Sequence, residues 1–291
     1  MRKKSIKQTQ TQKKLLIHLA KKARWVRKKV LSMTVNAGAG HIAPSFSCIE
    51  ILVVLYQGRV LRVKPNKPKW GYRDRFILSK GQAAVALYAI LADRGFFPVS
   101  ELKKFTRKGS YLGGHTEDTI PGVEAFTGSL GHGLSIGAGL ALAAKMDKKK
   151  YRTIVLLGDG ECHEGSVWEA AMFSAHHQLN NLIAIIDNNG LSATDFLKNY
   201  LEIKPLQKKW ESFGWEVIVV DGHSYKALLS SLSGISSRHL SKRPLAIIAL
   251  TTKGKGVSFM QNNPIWHYRI PVGKELKIAQ KELTYIRREV R

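Results

Sequence analysis

Five short runs, "RFILS", "YRTIVLL", "NLIAIID", "GWEVIVV" and "PLAIIAL", are built largely from Val, Ile and Leu. They do not alternate cleanly between polar and apolar residues, as a strand with one wet face would. Strands of this kind are buried on both faces, which requires covering layers above and below. The segments between them, such as "SVWEAAMFSAHH" and "YKALLSSLS", carry helical spacing. Strand, helix, strand in succession implies an α/β fold: a doubly wound, mostly parallel sheet with helices on both faces. In such sheets a ligand sits in the crevice beyond the carboxyl ends of the strands.

The N-terminal half decorates this core. Apolar positions Leu15, Leu16, Leu19, Ala23, Val26, Val30 and Met33 predict a helix over residues 13–35, ended by the glycine-broken "NAGAGH". "SCIEILVVLYQ" predicts a second helix, and "RVKPNKPKWGYR" a surface loop. "GQAAVALYAILADRG" predicts a third, stopped by Gly95. The glycine-dense stretch from Tyr111 is irregular until about Leu130, where a small-residue helix begins that packs closely on a neighbour or a ligand. The reading is a basic extension at residues 1–13, one domain over 14–273 and a basic helix or tail at 274–291. No internal repeat or Ser/Gly linker is visible, and 291 residues suffice for one large core.

The charge is lopsided: 47 Lys and Arg against 21 Asp and Glu, a net of +26. Twelve of the basic residues fall within residues 1–29, and no acid occurs before Glu50. Nucleic-acid binding would explain such a surplus, but no helix-turn-helix, zinc-finger or RNA-binding signature accompanies it. A lysine-rich drift in composition, plus attraction for phosphorylated substrates or an acidic partner subunit, is the favoured reading. No run approaches the roughly 18 apolar residues of a membrane helix. Two cysteines, Cys48 and Cys162, give no disulfide framework, so a cytoplasmic setting is expected. Cys162 and His163, being adjacent, are poorly placed to chelate one ion.

Chemistry concentrates at two strand ends. "YRTIVLL" runs into Gly158-Asp159-Gly160, and "NLIAIID" into Asn188-Asn189-Gly190. Both ends point into one crevice. Glycines there let backbone approach a phosphate, and a helix beginning near Glu164 to Ser166 offers free N–H groups. Asp159, the Asn189 amide oxygen and a main-chain carbonyl form an oxygen set for a hard cation, leaving positions for two diphosphate oxygens and a water. Two ordinary turns would also produce this composition.

The surrounding motifs decide between these readings. "GDGECHEGSVWEAAMFSAHHQLNNLIAIIDNNG" resembles the thiamine diphosphate motif, and residues 14–273 resemble the N-terminal half of transketolase. The likeness includes "AGAGHIAPSFS", "GYRDRFILSKGQAA", "GGHTED", "GVEAFTGSLGHGL", "DGH" and "KGKGVSFMQNNPIWHY", in the family's order. The last is similar to members divided into two polypeptides. The resemblance implies thiamine diphosphate and Mg2+, with Ca2+ or Mn2+ as substitutes. Asp159, Asn189 and the Leu191 carbonyl would ligate the metal. Gln82, Gly128, Ser129, Leu130, Gly160, Glu164, Asn189 and His267 would contact the cofactor or its hydrogen-bond network, Glu164 at the subunit interface. His41, His115 and His267 would line the sugar channel. Imidazoles with pKa near neutrality would suit the proton transfers of ketol exchange.

The resemblance also implies what must come from elsewhere. The family's catalytic glutamate lies in the following pyrimidine-binding domain. An α2β2 assembly with a separate C-terminal subunit is therefore expected, acting on sugar phosphates in the pentose phosphate pathway. Two departures stand out. Gln82 replaces a family histidine in "SKGQ", and Gly40-His41 lacks the usual Pro-Gly after it. Other readings stay open: a deoxyxylulose-phosphate synthase-like or 2-oxoacid dehydrogenase-like half, or a basic scaffold protein that has lost catalysis.

Overall fold

In the computed structural model, residues 2–199, 201–233 and 241–284 are described, residues 2–9 and 233 by backbone alone. The five apolar runs form one sheet: β1 Arg75–Leu78, β2 Thr153–Gly158, β3 Leu182–Asn188, β4 Glu216–Asp221 and β5 Leu245–Leu250. The order is β1-β2-β3-β5-β4 and every pairing is parallel. Gly158 aligns with Asp187, and Asn188 with Leu250, so the carboxyl ends of three neighbouring strands lie side by side.

Successive side chains along a strand face opposite layers. Ile154, Leu156, Ile183, Ile185, Leu245 and Ile247 belong to one core; Val155, Leu157, Leu182, Ala184, Ile186 and Ala246 belong to the other. The first core is covered by α1 (Arg2–Ala37), α2 (Ile42–Ser47), α3 (Ile49–Gln57), α4 (Ala84–Arg94) and α8 (Tyr225–Ser233). The second is covered by α5 (His132–Met146), α6 (Gly165–His176) and α7 (Leu206–Ser212). Each fully buried Leu or Ile contributes about 1.5–3 kcal/mol relative to an exposed one.

Helix α5 explains its own small-residue composition. A Cβ on Gly133 would sit 2.3 Å from Ser79 Oγ, and one on Gly137 would sit 2.5 Å from a Val155 methyl. The close neighbour is therefore the sheet. Gly95 ends α4 at φ 86°, a left-handed cap that glycine adopts without strain. Helix α1 starts at Arg2, well before the apolar pattern, because the Lys- and Gln-rich segment carries good helix formers without needing a buried face. Helices α2 and α7 add to the elements expected from the sequence. Helix α9, Gly273–Glu282, stands where the C-terminal helix was read, and residues 285–291 of that tail lie outside the described residues. No helix among the described residues is long and apolar enough to cross a membrane.

One buried ion pair ties two helices of the first layer to the loop after β4. Arg27 on α1 meets Glu50 on α3 at 2.7 Å, and His223, of the "DGH" after β4, brings Nδ1 to 3.0 Å from the same carboxylate. His223 Nε2 accepts the Thr252 N–H at 2.8 Å and so holds the loop after β5.

Candidate active site

The cleft opens beyond the carboxyl ends of β1, β2, β3 and β5 and encloses about 540 Å³, including space open to solvent. Asp159 lies at its floor, 1% exposed. Its Oδ2 accepts the backbone N–H of Asn189 at 2.8 Å and of Gly190 at 2.5 Å, and its Oδ1 accepts that of Gly160 at 2.9 Å. The two strand ends singled out in the sequence are thus fastened to each other. The loop after β3 is closed by Leu197 N–H on the Gly190 carbonyl at 3.0 Å and a bridge between Leu191 and Phe196. Burial pushes the Asp159 carboxyl up to about 6, a shift that a cation bound beside it would oppose.

The donors suit a hard cation. Asp159, Asn189 and Leu191 line one cleft, and Asn189 Oδ1 is anchored by the Leu191 N–H at 3.1 Å. No group of three His, Cys, Asp or Glu that could hold a metal occurs among the described residues. A hard cation takes six or more oxygens, so one held here would complete its shell from water or a ligand. Cys162 is buried with its Sγ 3.6 Å from the Gly158 carbonyl, and His163 bonds the Leu201 carbonyl, so that pair is structural.

Two lysines absent from the sequence reading line the same cleft. Lys80, after β1, pairs with Asp187 of β3 and also bonds the Pro44 carbonyl at 3.1 Å and Ser47 Oγ at 3.3 Å. Asp187 further accepts from the Ser47 hydroxyl at 2.5 Å and from Thr251. Lys253, after β5, donates to the Ser192 carbonyl and lies 2.9 Å from His267 Nδ1. Burial, then the charge of Lys80, lowers Lys253 to about 8. Both follow a strand and precede a glycine, the same signature as Gly158-Asp159-Gly160, and that rule would have found them. Glu161 was also missed. Buried, it accepts from Ser79, from Gly131 N–H at 2.9 Å and from Gly158 N–H at 3.1 Å, joining the glycine loop to β2.

The three histidines converge from distant segments. The His41 ring centroid lies 5.8 Å from that of His115 and 5.2 Å from that of His267. Tyr268 sets its ring against His41 at 4.7 Å. Near-neutral pKa values are not what two of them show. Burial, then neighbouring His115 and Lys253, lowers His41 to about 4; burial, then Lys253 and His41, lowers His267 to about 3. At neutral pH both are uncharged imidazoles.

Of the expected contact residues, Gln82, Leu130, Asp159, Gly160, Asn189, Leu191 and His267 line the cleft. Gln82 Nε2 reaches toward the Gly128 carbonyl at 3.5 Å. Gly128, at φ 137°, lies under His115; a Cβ there would sit 2.8 Å from that ring. Ser129 and Glu164 are exposed, outside the cleft lining. Helix α6 begins at Gly165, within the start read from the sequence near Glu164 to Ser166. A short 3-10 turn at Gly160–His163 precedes it, and Gly158 to Glu161 line the cleft.

Comparison with known proteins agrees with this geometry. Residues 20–285 match the family model described as transketolase, thiamine diphosphate binding domain. The chain is 40% identical over 258 residues to an apulose-4-phosphate transketolase subunit of Phocaeicola vulgatus, covering 89% of this chain and 91% of that one. It is 37% identical to 6-deoxy-6-sulfo-D-fructose transketolase subunit SqwG of a Clostridium species, covering 92% and 96%. Against the transketolase of Homo sapiens it is 40% identical over 83% of this chain but only 38% of that one. The crystal structure of transketolase from Campylobacter jejuni superposes with a TM-score of 0.85 at 30% identity, over 92% of this chain and 43% of that one. The chain thus spans less than half of these larger transketolases and nearly all of the relatives named as subunits. It belongs to the transketolase family, as a thiamine diphosphate-binding domain.

Proposed function

We propose that this chain is the diphosphate-binding subunit of a two-chain transketolase that moves a two-carbon ketol unit from a ketose phosphate to an aldose phosphate. One observation carries the reading: Asp159 fastens the two strand-end loops into a single oxygen-lined clamp beneath three converging imidazoles. Asp159, Asn189 and the Leu191 carbonyl would hold Mg2+, and Gly160, Leu130 and Lys253 would meet the diphosphate. Bound thiamine diphosphate supplies a C2 carbanion able to accept the ketol unit.

The chain's own residues orient the sugar and handle protons. Neutral His41, with the His115 ring beside it, offers ring nitrogen to substrate hydroxyls. Gln82 can donate and accept hydrogen bonds but cannot carry a proton, so it orients ligand rather than shuttling. Relatives that are themselves named as transketolase subunits support a separate partner. That partner would supply the catalytic glutamate and, in an α2β2 assembly, cover the exposed Ser129 and Glu164. On this reading the chain alone binds cofactor and does not turn over.

The test is calorimetric titration with thiamine diphosphate and Mg2+, followed by co-expression with a pyrimidine-binding subunit. Ketol transfer would be assayed from xylulose 5-phosphate, with apulose 4-phosphate and pyruvate as comparison donors. Saturable Mg2+-dependent binding, and transfer only with the partner, are expected. No cofactor binding would sink the reading, and full activity of the chain alone would sink the two-chain part.

A further inference from the structure

We propose that Lys253 is a positioning residue that fixes His267 as the Nε2–H tautomer, making it a permanent hydrogen-bond donor in the cleft. Donor and acceptor accounting at a buried contact leads there. Lys253 is 3% exposed, and its Nζ bonds the Ser192 carbonyl, which can only accept. An ammonium group has no lone pair, so toward His267 Nδ1, 2.9 Å away, it must again donate. Nδ1 is then the acceptor, and the one proton of a neutral imidazole sits on Nε2. A proton on Nδ1 would set N–H against N–H, and a doubly protonated ring would add a second positive charge beside the first, in a cleft that also holds Lys80.

His223 provides an internal contrast. Its Nε2 accepts the Thr252 N–H, so its proton resides on Nδ1, toward Glu50. The same accounting assigns opposite tautomers to two histidines whose partners, Thr252 and Lys253, are adjacent in the chain.

The consequence rests on the functional reading above. With Nε2 already protonated and Nδ1 occupied by Lys253, His267 can steady an oxygen but cannot take a hydroxyl proton. Proton acceptance is left to His41 and His115, and the three imidazoles divide into one fixed donor and two acceptors.

The tautomer can be read without cofactor, partner or activity, so its failure and that of the functional reading are separable. Carbon-13 and nitrogen-15 spectra of the full chain, histidine-labelled and assigned with H267Q and H223Q, are expected to show Nε2–H at His267 and Nδ1–H at His223. In K253M, His267 is expected to redistribute between tautomers while His223 is unchanged; K253R, which keeps a cationic donor, restores the wild-type signal. A wild-type His267 in the Nδ1–H form overturns the proposal, as does a K253M spectrum identical to wild type. Should K253M not fold, a nitrogen–nitrogen coupling across the Lys253–His267 hydrogen bond decides in the wild-type chain, its absence counting against the proposal.

Discussion

Lys80 and Lys253 occupy matching places, each just past the end of a sheet strand and each buried in the same cleft, yet they meet opposite surroundings. Burial works against both charges. At Lys80 the Asp187 carboxylate more than offsets it, so Lys80 is held above the ordinary lysine range and Asp187 below the carboxylate range. At Lys253 the described partners are a carbonyl and an imidazole, and the pKa falls to about 8. The difference separates architecture from function. One lysine is consumed in holding three chain segments together; the other keeps its charge available in the cleft.

The sharpest way to break this contrast is to remove Asp187. D187A leaves a buried ammonium uncompensated and is expected to cost about 3–5 kcal/mol of stability, read as a lower urea midpoint. The K80M/D187L pair should recover most of that loss; a double variant as unstable as D187A would show that the carboxylate's hydrogen bonds to Ser47 and Thr251 matter more than its charge. A smaller effect of opposite pattern is expected at Lys253. K253M should leave the unliganded chain as stable as wild type or more so. It should weaken thiamine diphosphate binding about 10- to 100-fold, the worth of one hydrogen bond to a charged group. A stability loss matching that of D187A would erase the distinction.

The smallest effect is in pH dependence. Lys253 titrates near 8 in the folded chain and at 10.5 when unperturbed, so between those values the unfolded state holds more protons. Its contribution therefore rises with pH across that window. Lys80, displaced upward, loses stabilising weight only at higher pH. The stability difference between wild type and K253M, followed by urea titration from pH 7.5 to about 9.5, should move in favour of wild type as pH rises. A flat difference would place Lys253 in water.

Much of the frame was legible because it rests on short-range signals. Runs such as "TIVLL" and "LIAII" name strands by composition alone, and Asp159 and Asn189 stand out by the glycines beside them. Helix α2, Ile42–Ser47, was hidden because Ala-Pro-Ser after a glycine-broken stretch carries no helical period. The lysines were hidden for a deeper reason. A lysine is ordinarily a solvated surface residue, and only a partner 107 positions away makes Lys80 internal. The neutral state of His41 and His267 is likewise set by burial among distant segments, which no local spacing records.

Asp187 accepts hydrogen bonds from residues 140, 107 and 64 positions distant in the chain. Contacts of such sequence separation form only after long loops close, so they arrive late in folding. A nascent chain that has not reached Thr251 lacks one donor to that carboxylate and also lacks Lys253. The cleft is therefore whole only once the chain through Lys253 has docked, and a ligand that meets Lys253 reads out that closure.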